Sequence, residues 1–226
     1  MKKQILLLFL LYSIVAFSQK KEMVDNFWKG NYDKTIEIGK QILQSEPNDF
    51  ETILLIARAE DEKGNFKNAI PYLESAKKMM SEDWQKSWAF IELAKNSFGT
   101  GKLDDAKLFY NEALKVKGTK NSEKELKKFG MLTGLDEYYK NWKIRETQNI
   151  IFHFENSINE NEIERITKTR QIAFEQINVF FNSKLPKKID FFVWNLNESY
   201  NQILNTNLGF SNPVFCISHN RLNQTP

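Results

Sequence analysis

The chain has 226 residues, 41% of them hydrophobic, which is enough for one or two domains with a buried core. Its 32 basic and 29 acidic residues are nearly balanced, so nothing in the charge favours binding to nucleic acid or to an anionic membrane surface. The single cysteine, Cys216, excludes an internal disulfide and a cysteine-based zinc site within these residues.

The N-terminus has the pattern of a secretory signal peptide. Two lysines precede an apolar run at 5–17, and Ala16 and Ser18 are the small residues that signal peptidase recognises. Residues 1–18 are therefore predicted to be removed, which leaves Gln19 first, no stable membrane anchor, and a periplasmic or secreted protein. A membrane anchor is the alternative, but this run of 13 residues is shorter than the roughly 20 that span a bilayer.

A motif of about 34 residues recurs over residues 19–118. Gly30-Asn31-Tyr32 returns as Gly64-Asn65-Phe66 and then as Gly101-Lys102-Leu103, at spacings of 34 and 37 residues. A glycine can end one helix at positive φ, and the large apolar residue two positions later begins the next helix. Small or short residues follow each glycine at fixed offsets: Thr35, Ala69 and Ala106, then Ile42, Ala76 and Ala113. The pattern predicts three helix–turn–helix units with close helix contacts.

These units resemble the tetratricopeptide repeat (TPR), whose period is 34 residues. The match is fullest over 50–80, good over 88–117 and partial in the first unit. The resemblance implies a helical solenoid whose concave face, lined by the first helix of each unit, binds a peptide or a partner protein. It places on that face Glu51, Leu54, Arg58, Asp61, Glu62, Trp88, Ile91, Lys95 and Phe98. The alternative is that this face only packs on neighbouring structure.

Residues 119–146 are predicted to cap or link the array, because three units are near the minimum for stability. Apolar residues there are spaced along one helical face: Leu126, Phe129, Leu132, Leu135, Tyr139 and Trp142. Gly130 and Gly134 weaken this helix and can divide it into two pieces.

Residues 147–226 have the periodicity of an α/β portion, so the predicted class is α + α/β, a helical solenoid before an incomplete strand-helix-strand-helix-strand unit. The predicted elements are a strand at 150–154, a helix at 160–182, a strand at 189–194, a short helix at 197–205 and a strand at 213–218.

This order, with "IIFHF", "IDFFVW" and "PVFCIS" as strands, resembles the N-terminal half of a gluzincin-like (peptidase MA-like) metallopeptidase domain. In that family the next element is a helix with H-E-x-x-H, whose histidines bind zinc and whose glutamate activates water. "NRLNQTP" is similar to the loop before that helix, and H-E-x-x-H occurs nowhere in the 226 residues. The chain itself is expected to contribute no catalytic residue, no metal ligand and no cofactor, and zinc would belong to a longer parent protein.

The two histidines and the cysteine are interpreted as structural residues and not as functional ones. The two histidines, His153 and His219, lack the spacing of a metal site, so His153 is interpreted as a half-buried structural residue and His219 as a loop residue. Cys216 is interpreted as a small buried hydrophobe.

Three functions remain open on this basis. The first is an exported scaffold that binds a protein or peptide, and the second is the front part of a zinc metallopeptidase whose H-E-x-x-H helix lies beyond Pro226. The third is that residues 148–226 are a complete small binding domain. An in-frame H-E-x-x-H in the coding DNA after Pro226 would favour the second function, and a stop codon there would favour the third.

Overall fold

The structure is a computed structural model that describes residues 18–183 and 188–195 with their side chains, and 216–218 and 221–224 as backbone strands. Two compact units are formed, Met1–Leu126 and Lys127–Pro226. The described part is mostly helical and contains one mixed sheet, which agrees with the predicted combination of helices and an α/β portion. Residues 1–17 of the predicted signal peptide and the predicted helix at 197–205 lie outside the described residues.

Helices follow one another through the first unit, and the boundary between the units falls within the last of them. They are α1 (18–28 in the described part), α2 (Tyr32–Ser45), α3 (Phe50–Glu62), α4 (Phe66–Met79), α5 (Asp83–Gly99), α6 (Leu103–Leu114) and α7 (Lys120–Thr133). From α2 to α6 each helix packs on the next, and α3 also packs on α5.

The same turn ends α1, α3 and α5. Gly30, Gly64 and Gly101 each have a φ of 76°, the left-handed conformation that glycine adopts without strain. The amide of each glycine donates to the carbonyl three residues earlier, and the next amide donates to the carbonyl five residues earlier, at 2.8 to 3.0 Å. This pair of bonds is the Schellman motif, which satisfies the last carbonyls of a helix. Gly134, at φ 72°, ends α7 with the same five-residue bond.

The small residues at fixed offsets from these glycines lie where helices meet, as predicted. Thr35, Ala69 and Ala106 are 0% exposed, and the second set, Ile42, Ala76 and Ala113, is at most 2% exposed. Larger side chains fill the space between α3, α4 and α5, including Phe50, Ile53, Leu73 and Leu93. The sequence period is therefore also a period of helix packing.

The second unit is built on a five-stranded sheet. Its elements are a 3-10 turn (Glu137–Tyr139), β1 (Lys143–Glu146), β2 (Ile150–Phe154), α8 (Glu160–Phe180), β3 (Ile189–Val193), β4 (Cys216–Ser218) and β5 (Arg221–Gln224). The strand order is β1-β2-β3-β5-β4. β2, β3 and β5 run parallel, while β1 and β4 are antiparallel strands at the two edges. Helix α8 connects β2 to β3, as predicted.

The structure ends the predicted capping helix early and contains two strands that the sequence did not predict. Within the predicted capping or linking segment, α7 ends at Thr133, because Gly134 takes positive φ, and residues 143–146 form a strand. Within the predicted loop "NRLNQTP", residues 221–224 form β5. Both unpredicted strands are rich in polar residues, so they lack the apolar alternation from which a strand is recognised in sequence.

Both faces of the sheet carry aromatic side chains. Phe152, Phe154 and Phe191 pack against α8 through Ile163 and Ile166. On the other face Phe192 and Trp194 pack against Met131, Tyr139 and Trp142, and the Tyr139 hydroxyl donates to the Met131 carbonyl at 2.7 Å. The predicted apolar face of α8 is buried only near its start, since Ile172 and Ile177 are exposed. Among the helices in the described part of the chain, none has the length and apolar character of a membrane-spanning segment.

Candidate functional site

The nine residues predicted for the concave face separate into two groups. Leu54, Ile91 and Phe98 are at most 6% exposed and belong to the core between helices, so their place on a ligand-facing surface is corrected here. They are the apolar stripe of their helices, and burial of that stripe holds the unit together. The other six reach the surface at least partly: Glu51, Arg58, Asp61, Glu62, Trp88 and Lys95.

Arg58, on α3, is held by groups on two other helices. Its guanidinium carbon lies 4.9 Å from the centre of the Phe27 ring on α1 and 4.8 Å from that of Trp88 on α5. Both distances are within the range of a cation–π contact. Its Nε lies 3.0 Å from Oε1 of Glu92, and its side chain is 14% exposed. Arg58 is therefore held in one orientation by α1 and α5, with a small part of its side chain exposed.

Glu92, on α5, is the centre of the charged groups although the sequence prediction did not include it. Its side chain is 0% exposed, and its second oxygen lies 3.3 Å from the Lys95 ammonium. Burial of a carboxylate is costly unless opposite charge compensates it, and here Arg58 and Lys95 supply that charge. The sequence "FIELAK" could have indicated a buried ion pair, because its glutamate interrupts an apolar stretch and lies three residues before a lysine.

Lys95 connects the carboxylates of three helices. Besides Glu92, its ammonium lies 3.7 Å from Glu62 on α3 and 3.3 Å from Glu125 on α7. Burial alone lowers the pKa of this ammonium, but the carboxylates of Glu92 and Glu125 outweigh that effect and hold the pKa above its ordinary value. Glu125 was also missed by the sequence prediction, since α7 was interpreted only as a cap.

Asp61 is the carboxyl group of this region with the most altered acidity. Burial raises the pKa of Asp61 to about 7, although the hydrogen bond from Asn96 opposes the shift, and the charge of Glu92 adds to it. Asn96 donates to Asp61 Oδ1 at 2.7 Å and to the Phe66 carbonyl at 2.9 Å. Around neutral pH this carboxyl is therefore present in both protonated and ionised forms.

Six ionisable side chains form what we call the ionic cluster: Arg58, Asp61, Glu62, Glu92, Lys95 and Glu125. They come from α3, α5 and α7, and the aromatic contacts to Arg58 come from α1 and α5. Such an arrangement can bind charged and hydrogen-bonding groups of a ligand.

His153, in the second unit, is half-buried, as predicted. Its Nε2 lies 2.8 Å from Oδ1 of Asp190 on the neighbouring strand, and its ring stacks on Phe192 with centroids 4.4 Å apart. His219 and the side chain of Cys216 lie outside what the structure describes. In the ranges described with side chains, no three His, Cys, Asp or Glu residues come together in a way that could hold a metal ion.

No family model matches the chain, and no curated protein matches it. The two resemblances therefore rest on the repeat motif and on the order of elements.

Proposed function

We propose that the first unit is a tetratricopeptide-type module that binds a protein or peptide, within a protein exported to the periplasm or secreted. The observation that carries the proposal is the partly exposed set Arg58, Asp61, Glu62, Trp88 and Lys95, because these side chains all belong to α3 and α5, the first helices of the second and third units. None of the cluster's residues comes from α2, α4 or α6.

Two further observations support repeat stacking. The glycines of the three Schellman turns have the same φ, and the turns have the same hydrogen bonds. Helix α3 also contacts α5 directly, although α4 lies between them in the sequence. Stacked repeats that bring their first helices side by side create an extended surface on one side of the array, which such proteins use for binding. With α7 as the first helix of a further, incomplete unit, Glu125 would join this surface.

A peptide-binding assay tests the proposal directly. The full chain is applied to an array of random-sequence peptides, in parallel with a Glu62→Ala variant and a matched Glu74→Ala control on α4, where Glu74 is exposed. We expect saturable binding that the Glu62 variant alters and the control retains. Absence of bound peptides, or equal binding by all three proteins, would contradict the proposed surface.

The second candidate is that the α/β unit belongs to a zinc metallopeptidase. The observation that supports this candidate is the connection of the parallel strands β2 and β3 by α8, which has the strand-helix-strand order of the gluzincin-like resemblance. Reading the coding DNA beyond the codon for Pro226 tests it. An in-frame H-E-x-x-H is expected, and a stop codon at that point would reject this candidate.

A further inference from the structure

Strand β1 forms one edge of the sheet in the second unit. In the turn that joins β1 to β2, the amide of Thr147 donates to the Ile150 carbonyl at 2.8 Å. Because hydrogen-bonding directions alternate along an antiparallel pair, the amides and carbonyls of Ile144 and Glu146 point away from β2, toward the outer edge. In the part of the chain that the structure describes, no strand pairs with that edge.

A groove of about 420 Å³ lies between β1 and the first half of α8. Side chains of these two elements line it, including Arg145, Glu160, Asn161, Ile163, Thr167 and Lys168. Its two walls are joined at both ends, because Lys143 donates to the Ile158 carbonyl at 2.8 Å and Thr147 donates to Gln171 at 2.6 Å. The groove is therefore held open by the fold, and its volume is in the range of ligand-binding pockets.

Thr167, in the wall of this groove, has a hydroxyl that the fold leaves unsatisfied. Its Oγ1 is buried and has no hydrogen-bond partner among the described residues. A threonine in a helix commonly donates to a carbonyl of the preceding turn, as Thr169 does to Arg165 at 2.8 Å. A buried polar atom without a partner costs stability, so this hydroxyl independently indicates a hydrogen-bonding group of a ligand in the groove.

The charges of β1 leave its edge open to another strand. Charged side chains often protect an edge strand from pairing. Here Lys143 and Arg145 both pair with Glu160. Glu146 pairs with the lysine that precedes β3. All charged residues of β1 are thus compensated within the chain, and its remaining residue, Ile144, is apolar and 56% exposed. The edge therefore suits an uncharged strand that covers Ile144.

A second copy of the chain fits this edge less well than a foreign strand. Antiparallel pairing of two β1 strands through their outward groups would oppose like charges in each register. The opposed residues would be Lys143 and Arg145, two copies of Arg145, or two copies of Glu146. Like charges directly opposite each other destabilise a pair of strands.

We propose that an extended, uncharged peptide segment of another protein adds to the sheet along β1, antiparallel to it. Its backbone pairs with the outward groups of Ile144 and Glu146, which is a recurring mode of peptide recognition at sheet edges. Its side chains alternate between the two faces of the sheet. Those beside Ile144 are apolar, and those on the α8 side are small, with a hydroxyl or amide that reaches Thr167. This site belongs to the second unit, and its proposal does not depend on the one made for α3 and α5.

An uncharged synthetic peptide of alternating valine and threonine tests the proposal with the full chain. Amide exchange is followed by NMR with and without the peptide. At a peptide concentration roughly ten times its Kd, we expect exchange at Ile144 and Glu146 to slow about tenfold. Exchange at Arg145, whose amide faces β2, should change little. Unchanged exchange at Ile144 and Glu146 with millimolar peptide would overturn the proposal. Protection that appears without peptide as the chain is concentrated would also overturn it, in favour of a second copy.

Two modified peptides separate strand addition from contact through side chains alone. In an antiparallel strand with its valines beside Ile144, the valine amides point toward β1 and the threonine amides point away. N-methylation of the valines should therefore weaken binding about fivefold for each hydrogen bond that it removes. N-methylation of the threonines should preserve binding. Equal effects of the two modifications would overturn backbone pairing.

Filling the groove gives a second, independent measurement. Lys168→Trp places a large ring in the groove, whereas Arg170→Trp changes an exposed basic residue of α8 outside its lining. We expect Lys168→Trp to weaken binding of the valine–threonine peptide about tenfold, because the ring excludes the hydrogen bond to Thr167 and the neighbouring contacts. Arg170→Trp should bind like the unaltered chain. Equal affinities of the two variants would overturn the role of the groove.

Discussion

At the scale of single residues, the first unit depends on one buried charge. Glu92 is enclosed by Arg58 and Lys95, and removal of one member of a buried ion pair typically costs about 3–5 kcal/mol because the partner charge remains uncompensated. Glu92→Gln keeps the shape and removes the charge, while Lys95 keeps Glu62 and Glu125 as partners, so we predict a loss of unfolding free energy toward the lower end of that range. Urea denaturation measures it. Glu74→Gln is the control, and an equal stability of the two variants would argue against a structural role for the pairs.

Asp61 should make stability depend on pH in a defined window. Its pKa is about 7 in the folded protein and near 3.8 when unfolded, so between these values the folded state keeps a proton that the unfolded chain has lost. The free energy of unfolding should therefore fall as pH rises from about 4 to 7, and this contribution should level off above 7. Denaturation of the chain and of Asp61→Asn at pH 5, 6, 7 and 8 checks this. The variant should lack that part of the decline, and parallel curves would refute the assignment.

At the scale of helices, the alanines between them set the spacing. Ala69 and Ala106 are 0% exposed, so leucine at either position would overpack the interface and cost about 1–3 kcal/mol. Lys67 and Lys107 lie two residues before and one residue after these alanines and are exposed, so Lys67→Leu and Lys107→Leu should change stability little. Thermal melts of the four variants make the comparison. Similar melting temperatures would mean that these helix contacts are looser than the burial indicates.

The sequence predicts best those elements whose conformation or burial allows only a few types of residue. Positive φ favours glycine, so Gly30, Gly64 and Gly101 made the period visible, and the alternating aromatics of "IIFHF" identified β2. The polar strands β1 and β5 left no such signal, because backbone pairing with neighbours does not depend on side-chain type. In the candidate site, Arg58 and Lys95 were predicted from the resemblance to the tetratricopeptide repeat. Glu92 was missed because glutamate is usually exposed, and its burial depends on cations that only the folded chain brings together.

At the scale of the whole molecule, the boundary between the two units, after Leu126, cannot be located from the helical periodicity of the sequence alone. Trp142, expected in a capping helix, packs with Phe192 and Trp194 in the second unit. The later residues of this apolar spacing, Leu132, Tyr139 and Trp142, therefore belong to the core of the second unit. Helical periodicity records that residues are buried, and it does not record which partner buries them.

The N-terminal sequence predicts that the protein is exported. The lysine pair, the apolar run and the Ala16–Ser18 site should direct the protein to the secretion machinery, with removal of residues 1–18. N-terminal sequencing of the protein recovered from outside the cytoplasm should begin at Gln19. A product that still begins at Met1 would contradict removal. An Ala16→Lys variant, with a large charged side chain at the recognised position, should accumulate unprocessed.

Because its three glycine turns match, the first unit contains a segment that could be duplicated along the chain. The piece from Asn65 to Gly101 starts just after one left-handed glycine and ends on the next, with the same φ and hydrogen bonds at both joints. A tandem copy of its coding segment inserted after Gly101 would therefore join helix to helix through a turn already used in this protein. The array can in this way lengthen by gene duplication without the invention of a new connection.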